Sequence, residues 1–206
     1  MSNTNRIITV EALAAHYGVA SEAALAKETA SLTPAYRRWI EEAPFLAIAT
    51  SGPGGLDCSP RGDEKGHLFK ILNDRLLAIP DRRGNNRLDT LKNIIANPQV
   101  ALLFLTPGIN ETLRINGRAS ISVDPLHLKS ATVAGVAPAT VILVDIDAVY
   151  FQCARALIRS KLWEPAHFAD RKDMPTAGQM IKDAISDFDA DTYERELQIR
   201  QKSTLY

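Results

Sequence analysis

Of the 206 residues only two are cysteines, Cys58 and Cys153. They lie far apart and form no CxxC pair, which fits free thiols in a reducing compartment rather than a disulfide framework. The four histidines, His16, His67, His127 and His167, fall on separate segments without ligand spacing, so no zinc site is expected. There is no excess of one charge: 24 basic residues stand against 24 acidic ones, and a nucleic-acid binder would usually carry a basic surplus. No apolar run approaches the ~20 residues of a membrane span. The opening stretch "MSNTNRIITVEALAAHYG" lacks the charged-then-apolar pattern of a secretory signal. The glycine clusters "GPGG" and "PGIN" are turns of neither GxGxxG nor GxxxxGK form, which excludes a Rossmann or P-loop reading. Repeats and low-complexity segments are also missing. The expectation is a cytoplasmic protein, of ordinary hydrophobic content at 46% and long enough for one domain of roughly 150 to 200 residues with appendages.

Three organisational zones follow. Residues 1–44 read as helical: Thr9 caps one segment that Gly18 stops, Ser21 caps a second, and Thr33-Pro34 starts a third that Pro44 ends. From Phe45 the texture changes to short strands with tight turns: Phe45–Ser51, Leu56–Arg61, His67–Leu72, Arg75–Pro80, Gln99–Leu105, Thr112–Val123 and Thr140–Phe151. Gly117 within the sixth segment suggests a bulge or bend. Asp124 signals a short helix, and Leu88, Leu91, Ile94 and Ile95 form a helical stripe. The expected core, 45–152, is thus α+β: about six antiparallel strands in a barrel-like sheet. Residues 153–206 turn helical again through "CARALIRSKLW" and a capped "TAGQMIKDAI". They end in a polar tail that is either loosely held or docked, on the core or on a dimer partner.

The most informative stretch is "IPDRRGNNRLDTLKNIIANPQVALLFL". It crowds Arg82, Arg83 and Arg87 around a helix start, where the helix dipole is already positive and cations are misplaced. Gly84 permits a sharp turn, Asn85 or Asn86 can cap, and Arg87 can point back at an oxyanion together with free backbone N–H groups. The competing reading leaves these arginines solvated or paired with Asp81 and Asp89. Further cations on strands, Arg61, Lys70 and Arg114, are costly to bury unless one anionic ligand meets several of them. Cys58 is either a reactive thiol or a buried strand cysteine, with burial favoured. Arg155, Arg159 and Trp163, at i, i+4 and i+8, share a helix face that either closes over a ligand or packs on the barrel.

Together, "FLAIATSGPGGLDCSPRG", "LLAIPDRRGNNRLDTLKNIIANPQVALLFL" and "NETLRINGRASI" resemble the FMN-binding split-barrel proteins related to pyridoxamine-phosphate oxidase. "SPRGD", "IPDRRGNNRLD", "NETLRINGRA" and "CARALIRSKLW" resemble a probable-FMN-dependent subgroup of them. The resemblance implies a six-stranded antiparallel split β-barrel that forms a homodimer with FMN in clefts between subunits. By position it implies that Arg61 and Lys70 lie near the isoalloxazine ring or phosphate, and that Pro80 and Asp81 contact the ring. Arg83, Asn86 and Arg87 would hold the phosphate, while Glu111 and Thr112 come from the paired strand, of the partner subunit. The implied activity is an FMN-dependent oxidoreductase acting on a small molecule, with NADH or NADPH as an electron donor. A non-catalytic flavin-binding or sensing module is the alternative, as is a related split barrel that binds haem or a deazaflavin. The tryptophan followed by Arg-Leu-His near the end of true pyridoxamine-phosphate oxidases is missing here, so oxidation of pyridoxamine phosphate is not expected.

Overall fold

The structure is a computed structural model that describes residues 5–206, the side chain of Gln198 excepted; residues 1–4 of the expected helical zone lie outside the described residues. Its centre is one antiparallel sheet of seven strands: β1 (Phe45–Gly52), β2 (Gly55–Gly62), β3 (Lys70–Asn73), β4 (Leu76–Asp81), β5 (Gln99–Leu105), β6 (Thr112–Ser122) and β7 (Thr140–Gln152). Their order across the sheet is β2-β1-β5-β6-β7-β4-β3. The α+β class and the antiparallel sheet are as expected, while the order joins β1 to β5 and β7 to β4 rather than running in sequence. The count is seven rather than six because the short β3 pairs with β4 as a separate strand. That strand starts at Lys70, with His67 left in the preceding turn.

Burial alternates along β1, β2, β5 and most of β6, as a two-residue side-chain period requires, whereas β4 is buried on both faces from Leu77 to Pro80. Leu46 and Ile48 of β1, Leu102 and Phe104 of β5, Leu113 and Ile115 of β6, Val144 of β7 and Leu77 and Ile79 of β4 all join one cluster. β1 and β4 are four strand steps apart in the sheet, about 19 Å on a flat surface at ~4.8 Å per step. Their side chains meet because the sheet curls around the core. Ile40 of α3 (Pro34–Glu41) and Ile94 of α4 (Asp89–Ala96) cover it.

Gly117 sits at the register shift between β6 and β7, where the partner of Asn116 is Ala148 and that of Gly117 is Ile146. A Cβ there would collide with the Asp145 carbonyl oxygen, which is backbone and cannot rotate away. Gly117→Ala is therefore expected to cost about 1–3 kcal/mol through overpacking, read as a lowered urea midpoint with an unchanged m-value.

The helix starts were legible. Thr9 caps α1 (Val10–Ala14), Ser21 caps α2 (Glu22–Ala26), Thr33 caps α3 with Pro34 in its first turn, and Asp124 caps α5 (Pro125–Ser130). Two endings differ. α1 stops at Ala14, before Gly18. α6 is only Arg155–Ser160, because Lys161 turns left-handed at its end, so Trp163 does not share its face with Arg155 and Arg159. Trp163 instead donates its indole N–H to the Ile109 carbonyl at 2.8 Å. Beyond it, Thr176 and Gln179 form a capping box on α7 (Ala177–Ala184), and the polar tail forms α8 (Ala190–Ser203). Glu194 of α8 accepts the Gly178 N–H at the start of α7, so the tail is helical and attached. No described helix is long and apolar enough to cross a membrane.

Candidate functional site

A cleft of about 1180 Å³ opens where the ends of β2 and β4 meet the start of α4. Three side-chain hydrogen bonds hold the helix that walls it. The second turn of α4 is held by the buried Asn93, whose amide donates to Thr50 Oγ1 at 3.2 Å and the Gly55 carbonyl at 3.4 Å. Asn97 adds a bond to Ser51 Oγ at 2.8 Å. The helix is thereby tied to the β1–β2 hairpin. Its buried face is Thr90, Asn93 and Ile94, a correction to the expected stripe: Leu88 and Ile95 are exposed, at 46% and 78%. Polar side chains face the hairpin because they bond to it.

The elbow before α4 also differs from the expectation. Asn85 does not cap the helix; its Oδ1 accepts from the Arg87 N–H at 3.0 Å, an Asx turn two residues early. Asn86 and Leu88 adopt left-handed backbone with φ of 59° and 62°. Leu88 occupies the N-cap position and supplies no side-chain hydrogen bond. The first N–H groups of α4 are thus left without a side-chain cap, facing the cleft with their partial positive charge.

Six of the nine residues expected at the site line this cleft: Arg61, Pro80, Asp81, Arg83, Asn86 and Arg87. Lys70, Glu111 and Thr112 do not. Lys70 gives its ammonium to the Gly66 carbonyl at 2.8 Å and borders a separate pocket of about 240 Å³. Glu111 is exposed ahead of β6, and Thr112 is buried at its start. Arg114 likewise turns elsewhere, bonding Tyr150 Oη at 3.1 Å and lying over its ring.

The cations are partly neutralised by the chain itself. Arg61 approaches Asp81 at 3.5 Å, Arg82 binds Asp63 at 2.8 Å, and Arg87 pairs with Asp89. The competing reading of the elbow therefore holds for Arg83, which lies in solvent, and for Arg87, which pairs with Asp89, while Arg82 has a structural partner the sequence did not suggest. Among the described residues two cationic features stay open: Arg83 lies exposed in the elbow, and the Nε of Arg61 is buried with no hydrogen-bond partner. An orphaned guanidinium nitrogen at the edge of a cleft is a donor waiting for an acceptor.

Sequence reasoning missed a carboxylate. Asp57 accepts from Thr90 Oγ1 at 2.6 Å and Ser59 Oγ at 2.9 Å, and lines the cleft beside the start of α4. The Thr90 hydroxyl, with smaller help from Ser59, Arg61 and Arg87, outweighs burial and holds Asp57 below its ordinary value of 3.8. The stabilisation this gives is present above that value and lost as pH falls through the depressed one. In Thr90→Val, carboxyl NMR titration is expected to find the Asp57 pKa moved back up and acid unfolding beginning at higher pH. Asp81 moves the other way: burial raises it, with Arg61 pulling it down only in part. The signal for Asp57 was the alternation of "LDCSPR", which places Asp57, Ser59 and Arg61 on one strand face. Cys58 points to the opposite side of the edge strand β2 and is exposed, against the expected burial; Cys153 is exposed as well.

Several solved structures are similar to this chain. HupZ of Group A Streptococcus is 16% identical and aligns over 57% of this chain and 91% of its own, with a TM-score of 0.46. The FAD binding protein of Mycobacterium smegmatis is 13% identical over 60% of this chain and 97% of its own, at 0.43. General Stress Protein 26 of Bacillus anthracis is 19% identical over 56% and 88%, at 0.40. No curated protein sequence matches the chain. The model of the Pyridoxamine 5'-phosphate oxidase family matches residues 32–153, from just before α3 through all seven strands. That stretch is more than half of the sequence and contains β2, β4 and the elbow that build the cleft: the chain belongs to the pyridoxamine 5'-phosphate oxidase family.

Proposed function

We propose that the protein binds FMN in this cleft and serves as an FMN-dependent oxidoreductase for a small molecule, drawing electrons from NADH or NADPH. The observation that carries the proposal is the uncapped start of α4, with Arg83 and Arg87 in the elbow before it, at one end of a cleft that also holds the unpartnered Nε of Arg61. A phosphate dianion suits the first feature and an electron-rich ring atom suits the second. Asn86 and Arg87 would hold the phosphate. Arg61, Pro80 and Asp81 would border the flavin ring.

FMN, when bound, supplies the hydride and electron transfer, while the protein binds and orients it. The Arg61–Asp81 pair would fix the charge beside the ring, and the curled sheet would exclude water from its inner edge. The expected contribution of Glu111 and Thr112 requires a second subunit. The outer face of β1 and β5 fits that role: Phe45 pairs with Leu105, Ala47 with Leu103 and Ala49 with Ala101, an apolar stripe that is only partly buried among the described residues.

An absorption spectrum of the purified protein mixed with FMN tests the reading. A bound flavin band that NADH or NADPH bleaches and oxygen restores is the expected result. Flavin that binds and never turns over would favour a carrier or sensor, and a haem band or no uptake at all would remove FMN from the cleft.

A further inference from the structure

The segment after α8 returns to the cleft. Ser203 and Thr204 hydroxyls donate to the Arg200 carbonyl at 3.1 and 2.7 Å and end the helix. The chain then carries Leu205 and Tyr206 onto the cleft wall. Tyr206 Oη donates to Asp63 Oδ1 at 2.8 Å, 143 residues away, and its ring lies 5.6 Å from the Arg82 guanidinium carbon. Asp63 and Arg82 are already bound to each other through Oδ2 and Nε, so they form a fixed seat that offers one acceptor and one cation to a phenol. The hydrogen bond it donates to Asp63 also holds the Tyr206 hydroxyl above its usual pKa, with burial and the carboxylate's charge adding to the effect. The group therefore remains a donor at physiological pH.

We propose that Tyr206 latches residues 204–206 across the cleft as a ligand-retaining wall, a role that rests on the flavin reading of that cleft. Cleft size decides between a wall and a plug. The space of about 1180 Å³ is bounded by Leu205 and Tyr206 in their docked positions. It already exceeds the ~300–1,000 Å³ of ordinary small-molecule sites, so the segment need not leave for a ligand to fit. Two exposed apolar side chains, Leu205 at 70% and Val136 at 46%, border the same space. A flat apolar surface such as a flavin ring would cover both. A wall of this kind acts on dissociation more than on association, and binding and docking reinforce each other by the same factor.

The test compares FMN release from wild type, Tyr206→Ala and Tyr206→Phe, followed by recovery of flavin fluorescence after dilution. Tyr206→Ala is expected to release FMN about tenfold faster, the scale of one lost hydrogen bond to a charged group, with association nearly unchanged. Tyr206→Phe, which keeps the ring, should fall between. Equal release rates for wild type and Tyr206→Ala would overturn the latch while leaving flavin binding intact. Should wild type take up no FMN, the flavin reading falls, and amide hydrogen exchange over residues 200–206 still decides the docking. Faster exchange in Tyr206→Ala than in wild type supports the pinned wall; equal exchange overturns it.

Discussion

Arg82→Ala is expected to destabilise the fold by about 3–5 kcal/mol, the cost of leaving a buried charge without its partner. The Asp63 side chain is only 2% exposed and the Arg82 side chain 15%. Besides Asp63, the guanidinium donates to the Ala131 carbonyl at 2.6 Å and the His67 carbonyl at 3.3 Å. One side chain thus ties the end of β4 to the residues after β2 and to the end of α5. Truncation leaves a buried carboxylate without its cation, with the Tyr206 hydroxyl and the Glu64 N–H still donating to Oδ1, and removes the donor from two carbonyls. Lysine should not rescue it, because three acceptors in different directions need the planar fork rather than a point charge. Urea unfolding of wild type, Arg82→Ala and Arg82→Lys reads the effect: both variants should lose most of their midpoint. A change below about 1 kcal/mol in Arg82→Ala, the range of a solvated surface pair, would show that Arg82 belongs to the ligand rather than to the fold.

That result bears on how far the sequence could be read. Local signals transferred well. Thr9, Ser21, Thr33, Asp124 and Thr176 cap their helices because a cap needs only a side chain and an N–H two or three residues ahead. The bulge at Gly117 was legible for a similar reason: a glycine interrupting a long alternating strand marks a bend or a close backbone approach, and here it marks both. Pairing between distant segments was not legible. Arg82, Arg83 and Arg87 look alike in "DRRGNNR", yet Arg82 is claimed by Asp63, 19 positions earlier, and Arg83 is left facing the cleft. Helical periodicity puts Trp163 beside Arg159, and a single left-handed residue, Lys161, separates them. Periodicity cannot anticipate a non-glycine residue at positive φ. Tyr206 is the extreme case: nothing near it in sequence hints at a contact with Asp63.

The ligand-binding counterpart concerns Arg87, which is expected to matter little to the free protein and strongly to the bound one. Its side chain is 79% exposed and pairs with Asp89, 38% exposed, on the first turn of α4. An exposed pair of this kind adds little stability, so Arg87→Ala should leave the urea midpoint almost unmoved. The same residue beside an uncapped helix start is well placed to meet a phosphate dianion, and its loss should weaken FMN binding about ten- to a hundredfold, the range of a charge-assisted hydrogen bond. Asp89 competes with the phosphate for both Arg87 and the helix dipole, so Asp89→Asn should shift affinity in the opposite direction and tighten FMN severalfold. Fluorescence titration of FMN against the two variants at low and moderate salt measures both signs. Added salt should shrink the difference between them, because the contacts are solvent-facing and screened over about a 10 Å Debye length at 0.1 M. Equal FMN affinity in wild type, Arg87→Ala and Asp89→Asn would place the phosphate elsewhere. The left-handed Asn86 and Leu88 would then be backbone strain without a ligand to account for it.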